Sequence, residues 1–427
     1  MTSTGPPGPP APGETGDAPA ARPSRAALTD RADRPARSLI FSITVTGILS
    51  NTLITPAIPD IIDHFDVGTW GAGLVIAATA FPGIVVAPLI GLLADRYGRR
   101  TVLVPCLAVF GVAGGLGALA PSFWLLVATR LVQGVGAAGL INLAVVIIGD
   151  HWSGAERARL IGQNAAVLTA SIAVVPPLGG VLTDLGTWRA SFLPYWLALG
   201  TAVVVHRRLP PNERRDVRIA DQAREAMAVL RLPHVTGAIA TGFVLFILVF
   251  GLFLTAMPIY AHERFGLGAS SRGLLLGLPA LGSTTAALLL GRLTARFGSR
   301  RLVLAASGMF VVAFSAIAGA PSLWVAVLAI VLYGLGEGIT IPGLQDLVAG
   351  AAPTSTRGSV VAAWVGAARA GQTVGPVLAG VGISQLGAGG TFWAGAVVAA
   401  GLLVVQAAVG HRRGDGLDRR EQEPRRA

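Results

Sequence analysis

The stretch Gly91–Arg100, GLLADRYGRR, closes a long apolar run with one acid, Asp95, set among three arginines, Arg96, Arg99 and Arg100. Two hundred positions later the chain reads GRLTARFGSR, with Ala295 in place of the acid. A basic turn written twice at a fixed offset marks a duplicated unit. The offset holds elsewhere: Ala120, Pro121, Ser122, Trp124, Gly134 and Gly136 recur two hundred residues on, as do Arg157, Pro176, Leu178 and Gly180. No gap is needed between these blocks, so the chain is expected to fold as two six-helix halves pointing the same way.

Composition says what the halves are made of. Of the 427 residues, 53% are apolar and 13% charged, and the mean hydropathy is +0.66; a water-soluble chain of this length does not tolerate such a balance. A helix needs about twenty apolar residues to cross the hydrocarbon core. Such runs occur at 39–59, 72–94, 101–120, 123–149, 157–183, 189–206, 235–259, 273–295, 301–320, 323–348, 358–384 and 391–410. The expectation is an all-α integral membrane protein of twelve transmembrane helices. Residues 1–38 are rich in proline, glycine and arginine without an apolar core, and read as a disordered tail rather than a cleaved signal. The halves are then 39–206 and 235–410, joined by a linker at 207–234 and followed by a tail at 411–427. In the linker, Val217, Ala220, Ala223, Met227 and Leu230 share one helical face and arginines surround it, the pattern of a helix lying along lipid headgroups.

Every basic residue is an arginine, and the net charge is +11. The arginines sit in short breaks between apolar runs, without interleaved stacking aromatics, which excludes a nucleic-acid partner. Short loops that keep arginine stay in the cytoplasm. One side receives the N-terminal tail, Arg96, Arg99, Arg100, Arg157, Arg159, the linker, Arg296, Arg300, Arg301, Arg357, Arg412 and Arg413; the other has only Arg189, Arg264 and Arg272. Both termini are therefore expected in the cytoplasm, with the chain multi-pass in the cytoplasmic membrane. Cys106 stands alone and reads as a small packing residue.

Ionisable residues inside spans are costly, about 2.5–3.5 kcal/mol on insertion scales, and are rarely idle. Three stand out: Arg130, Glu337 and Arg369. Glu337 and Arg369 each lie about twelve residues from the inner ends of the tenth and eleventh spans, at similar depth, where they can pair. Loss of hydration favours the neutral form of a carboxylic acid and a nearby arginine favours the charged form. A competition of that kind makes Glu337 the expected proton carrier, with Arg369 or a cationic substrate as the competitor; a fixed salt bridge between two helices is the alternative. The six histidines are scattered at span ends and no phosphate loop or metal-ligand spacing is present, so an enzyme, an ATP-driven pump and a metal site are not expected. Parallel repeats with a site between them are a transporter architecture.

At these residues a family resemblance enters. GLLADRYGRRTVL (Gly91–Leu103) resembles the loop signature between the second and third helices of the major facilitator superfamily, and RLVQGVGAAG (Arg130–Gly139) resembles the second signature of its proton-driven members. The first-span stretch ILSNTLITPAIPDI (Ile48–Ile61) is similar to bacterial drug exporters, which points to the twelve-helix drug/proton antiporter branch. Its antiporter bend motif is only partly present: VPPLGG has Val175 where a glycine belongs before Pro176, Gly179 and Gly180, while GPVLAG keeps the pair Gly375–Pro376 in the second half.

The resemblance implies a conformational latch made of Gly91, Asp95, Arg96, Gly98, Arg99 and Asp150. Asp95 would face the start of the eleventh span near Ser359, Arg99 would pair with Asp150, and the glycines would permit a tight turn and close helix approach. It also implies that Arg130 takes part in proton movement, with Gln133; a polar clamp on backbone carbonyls is the other reading. The cavity would lie where spans one, four, seven and ten meet, lined by Asn51, Gln133, Asn142, Tyr333 and Glu337, with Gln163, Asn164 and Gln372 on the fifth and eleventh spans. A mostly apolar lining with few directed polar groups suits amphipathic molecules. The expected activity is export of small amphipathic compounds in exchange for protons, by a monomer that uses the proton gradient and no cofactor. A proton-coupled importer or dedicated metabolite carrier is the alternative on the same fold.

Overall fold

A computed structural model describes residues 34–210, 233–350 and 357–422. The linker expectation falls almost wholly outside the described residues, as do the first thirty-three residues and the last five. The described chain is helical from end to end. We number its helices α1 (Arg37–His64), α2 (Trp70–Tyr97), α3 (Arg99–Leu119), α4 (Phe123–His151), α5 (Gly154–Leu185), α6 (Trp188–Trp196 in 3-10 form, then Leu197–Arg208), α7 (Ile239–Phe265), α8 (Ala269–Phe297), α9 (Ser299–Ala318), α10 (Leu323–Gly350) and α11 (Arg357–Gln422). Among the described residues ten helices are long and apolar enough to cross a membrane, so this is a multi-pass membrane protein.

Two departures from the expected spans have local causes. The expected eleventh and twelfth spans are the two arms of α11, whose apolar part, Ala363–Ala408, runs for 46 residues. At about 1.5 Å per residue that is roughly twice the ~30 Å hydrocarbon core, and the break comes at Gly387, with φ 71° and ψ 168°, a conformation open to glycine. The expected sixth span, 189–206, is wound as a 3-10 helix over its first part, Trp188–Trp196 with Pro194 inside it, and becomes α-helical only from Leu197.

Connections are tight, so successive helices run antiparallel and the bundle has two faces. The terminal face carries the start of α1, the α2–α3, α4–α5 and α8–α9 turns and the end of α6. Contacts tie its parts together, as where Arg34 and Arg37 meet Glu156 at 2.9 and 3.3 Å. The far face carries the α1–α2, α3–α4, α5–α6, α7–α8 and α9–α10 turns; there Arg189 donates to the Ala120 carbonyl at 3.3 Å and the Tyr260 hydroxyl donates to the Ile317 carbonyl at 2.6 Å. The duplicated turn is built the same way twice: Gly98 has φ 94° and ψ 147°, Gly298 φ 78° and ψ 147°, angles that a side chain disfavours.

Each half has its own aromatic core. In the first, Trp188 packs on Phe192, Phe192 on Tyr195 and Tyr195 on Phe110; in the second, Tyr333 stacks on Phe253 at 4.7 Å and leans on Phe310 and Phe314. Residues such as Trp324, Leu288 and Leu185 remain about four-fifths exposed. A soluble protein rarely shows so much bare apolar surface, and here it faces lipid.

The halves meet through two crossings that repeat the offset in space. Gly273 of α8 sits against the Pro176 carbonyl of α5, and Gly73 of α2 sits against the Pro376 carbonyl of α11. Gly180 likewise abuts Ala269, and Gly380 abuts Thr69 and Trp70. A methyl group at any of these glycines would strike backbone, so small residues set how closely the halves approach. The bend motifs Pro176, Gly179, Gly180, Gly375 and Pro376 thus serve packing: Gly179 lies on the Leu53 carbonyl and Gly375 on that of Ile247.

Candidate functional site

A cavity opens between the halves, with about 120 Å³ of free space. Helices α1, α5, α7, α8 and α10 line it, the first two from one half and the rest from the other. Its walls are apolar apart from Thr52, Thr55, Tyr333 and Glu337. Pockets for drug-sized ligands usually measure about 300–1,000 Å³, so a substrate of that size needs the halves to move further apart.

Local structure explains how α7 reaches the cavity. Residues Leu248–Ala256 form a π-helix, and the Thr255 hydroxyl donates to the Phe250 carbonyl five residues back at 2.8 Å. Gly251 packs on the Gly375 carbonyl of α11, and the widened turn presents Phe250, Phe253 and Leu254 to the cavity. Such bulges recur at functional sites. The apolar run LVFGLFLTA carries no sequence signal for a π-turn, and the reading of the sequence missed these residues.

Glu337 is the charged residue of the wall. The expected pair with Arg369 is absent in this structure: Arg369 donates to Gln372, one turn along its own helix, at 3.3 Å, and its aliphatic stem lies against Gly83 of α2. Equal depth placed the two residues level with each other but could not say which way each helix turns them. Beside Glu337, the buried Tyr333 hydroxyl has no hydrogen-bond partner.

Arg130 behaves otherwise. It is fully buried and bonded within the first half: Nη1 to Gln133 at 2.5 Å and to the Tyr195 hydroxyl at 3.3 Å, Nη2 to the Ser50 carbonyl at 2.6 Å and to Asn51 at 2.9 Å, and Nε to the Val75 carbonyl at 3.4 Å. These bonds join α1, α2, α4 and α6, the geometry of a polar clamp. The other expected cavity residues are not part of the cavity wall in this structure. Asn51 and Gln133 turn to Arg130; Asn164 accepts from Thr44 at 2.7 Å; Gln163 lies at the terminal face beside Glu156 and Arg159; Asn142 is exposed. Polar side chains at mid-depth find partners inside their own half wherever one is within reach.

At the terminal face Arg99, buried to 8%, holds Asp150 through Nε at 3.0 Å and pairs with Asp95 four residues earlier. All three belong to the first half. Arg96 lies over the Tyr97 ring, with its guanidinium carbon 5.5 Å from the centroid. Gly98 makes the tight turn, whereas a side chain at Gly91 would meet open space among the described residues. The surroundings of Ser359 lie outside the described residues.

The far face holds charged contacts that the sequence reading missed. The Asp184 carboxylate, at the end of α5, accepts hydrogen bonds from the backbone N–H groups of Ala269 at 3.1 Å and Ser270 at 2.8 Å, at the start of α8. Next to them Arg272 of α8, only 2% exposed, pairs with Asp60 of α1. Both contacts cross from one half to the other. In the sequence Arg272 stood out only as an exception to the loop charge bias, with nothing to reveal its partners.

Comparison with known proteins agrees with this architecture. The chain is 25% identical over 372 residues to the class D tetracycline resistance protein of Salmonella ordonez, covering 85% of this chain and 93% of that one. It is 26% identical over 379 residues to the multi-drug resistance efflux pump PmrA of Streptococcus pneumoniae serotype 4, covering 83% and 90%. In structure it matches a D-xylose-proton symporter with a TM-score of 0.72 at 15% identity, over 86% of this chain and 96% of that one. The family model of the Major Facilitator Superfamily matches residues 40–276 and 239–426. With the duplicated halves, the paired crossings and nearly the whole length accounted for, this chain belongs to the Major Facilitator Superfamily, a family of transporters rather than enzymes.

Proposed function

We propose that this protein exports small amphipathic compounds across the cytoplasmic membrane in exchange for protons, by alternating access. The observation that carries the proposal is Glu337: a carboxylate on the wall of a largely apolar cavity between the halves, with no basic side chain bonded to it among the described residues. Such a group can take a proton from one side and give it up to the other as the cavity changes sides, because each state changes its hydration and neighbours. The apolar and aromatic wall suits substrates that bury surface more than they hydrogen-bond. Efflux relatives that align over most of the chain support the outward direction.

In this reading the chain crosses the membrane twelve times, the two arms of α11 and the short α6 included, with both termini cytoplasmic, since the arginine-rich turns share the terminal face. Asp95, Arg99 and Asp150 then form the cytoplasmic latch of this reading, holding the halves together in the outward-open state. Transport needs the proton gradient, the lipid bilayer and a monomer, with no cofactor. Arg369 and Gln372 would meet the substrate or the proton in a later state. The second reading, a proton-coupled importer, draws on the likeness to a symporter.

The test is proton release from acidified inside-out vesicles on adding tetraphenylphosphonium, ethidium or a neutral amphiphile, with wild type and Glu337→Gln side by side. Substrate-dependent collapse of the pH gradient in wild type but not in the variant is expected. Collapse surviving in Glu337→Gln would remove Glu337 from the proton path. Silence with every compound, together with uptake by whole cells, would move the importer to the front.

A further inference from the structure

We infer that Asp184, Asp60 and Arg272 form a charged clamp that sets how often the two halves part at the far face, and that they are positioning residues for transport. The inference rests on the alternating-access reading above. It starts from chemistry at a helix end: the first amides of a helix have no partner within it and attract an anion. Helix α8 begins at Ala269, and the anion it receives is the Asp184 carboxylate of the other half, held by two N–H groups at once. One turn on, Arg272 reaches Asp60 of α1. The Arg272 guanidinium is buried, and its Nε and Nη1 have no hydrogen-bond partner among the described residues. Letting go of Asp60 inside the closed interface would strand that charge, so its release must coincide with entry of water, that is, with opening.

The second crossing tells the same story by contrast. The fixed offset of two hundred turns Asp184 into Ser384, Arg272 into Ala72 and Asp60 into Tyr260. There the Ser384 hydroxyl donates to Val381 in its own helix, and a Thr69 to Gly380 contact at 3.4 Å is the polar link described across the halves. The backbone approach is therefore duplicated while the charges are not. The clamp mirrors Asp95, which also ends a helix of the first half but at the terminal face. First-half acids stand at both faces, Asp184 and Asp60 at the far one and Asp95 and Asp150 at the terminal one, and give each closed state its own anchor.

The experiment measures distances, without substrate, in lipid vesicles. Spin labels at Leu119→Cys and Ser322→Cys, both exposed in far-face turns of opposite halves, report that face in a Cys106→Ala background. Labels at Ser153→Cys and Arg300→Cys, exposed at the terminal face, report the other. Asp184→Asn and Asp60→Asn are each expected to raise the ratio of long to short distances at the far face by roughly two- to fivefold, and to shorten the terminal-face distance reciprocally. Simple loosening of the fold would broaden both distributions together. Exchanging the charges, Asp60→Arg with Arg272→Asp, should return the far-face distance toward its wild-type value. Unchanged distributions in both Asp184→Asn and Asp60→Asn, with vesicle proton release intact, would overturn the clamp. A distance response without proton release for any compound would instead overturn the transport assignment and leave the clamp standing.

Discussion

The two halves share a scaffold and differ in what their charges do. In the first half Arg130 is bonded on every side, Arg99 lies between two acids, and Asp60 and Asp184 reach across to the partner half. In the second half Glu337 lines the cavity and the Arg369 guanidinium bonds to Gln372 on its own helix. The offset of two hundred replaces Arg130 by Ile330, Glu337 by Ala137, Arg369 by Thr169 and Asp95 by Ala295. None of these charges is duplicated. Repetition supplies helices that pack and rock, and the departures from it supply function: a polar brace and anchors in one half, an acid on the cavity wall in the other.

The sharpest way to break this comparison is to remove a charge from each half. Arg130→Met should strip five hydrogen bonds; at about 0.6 kcal/mol each inside a membrane, the loss is ~3 kcal/mol, read as a lower unfolding temperature in detergent. Glu337→Gln should leave that temperature unchanged within error while ending substrate-linked proton release. If Glu337→Gln destabilises as much as Arg130→Met, both charges are structural and the contrast is lost.

A finer test gives the second crossing what only the first one has. Ser384→Asp places a carboxylate at the position matching Asp184, one turn beyond Gly380, which abuts Thr69 and Trp70 at the start of α2. An acid at a helix start is worth about 0.3–1 kcal/mol, so the far-face labels should shift toward the short distance by roughly two- to fivefold, with slower transport where opening limits the rate. An equal shift with Ser384→Asn would show that hydrogen bonding rather than charge acts there. The smallest effect belongs to Glu156, whose pairs with Arg34 and Arg37 stay within the first half at the surface. Exposed ion pairs are worth about 0–1 kcal/mol, and Glu156→Gln should change neither stability nor distance distributions by more than error.

Much of the fold was legible because membrane insertion writes itself into composition. Length, hydropathy and arginine in the turns located nearly every helix, and the repeated turn announced two halves. The 3-10 start of α6 was not legible, since hydropathy cannot distinguish it from an ordinary span, whereas the break at Gly387 falls in the gap between the two spans expected on either side of it. The site was legible in part. Glu337 stood out as an acid inside a span, and Arg130 as a base. Whether each was braced or bare was not legible, because that depends on Tyr195, Ser50 and Val75, far away in the chain and unremarkable in it.

By itself, the sequence determined the membrane class, the duplication and the short roster of costly charges, because each is a property of single segments meeting lipid or water. Only the tertiary structure decided which charges pair, where the π-turn widens α7, and that the halves are joined at the far face by Asp184 and Asp60. Those facts turn on the rotation of one helix against another, and a hydrophobic helix in a hydrophobic solvent carries little record of its rotation until close-packed glycines and hydrogen-bond partners fix it.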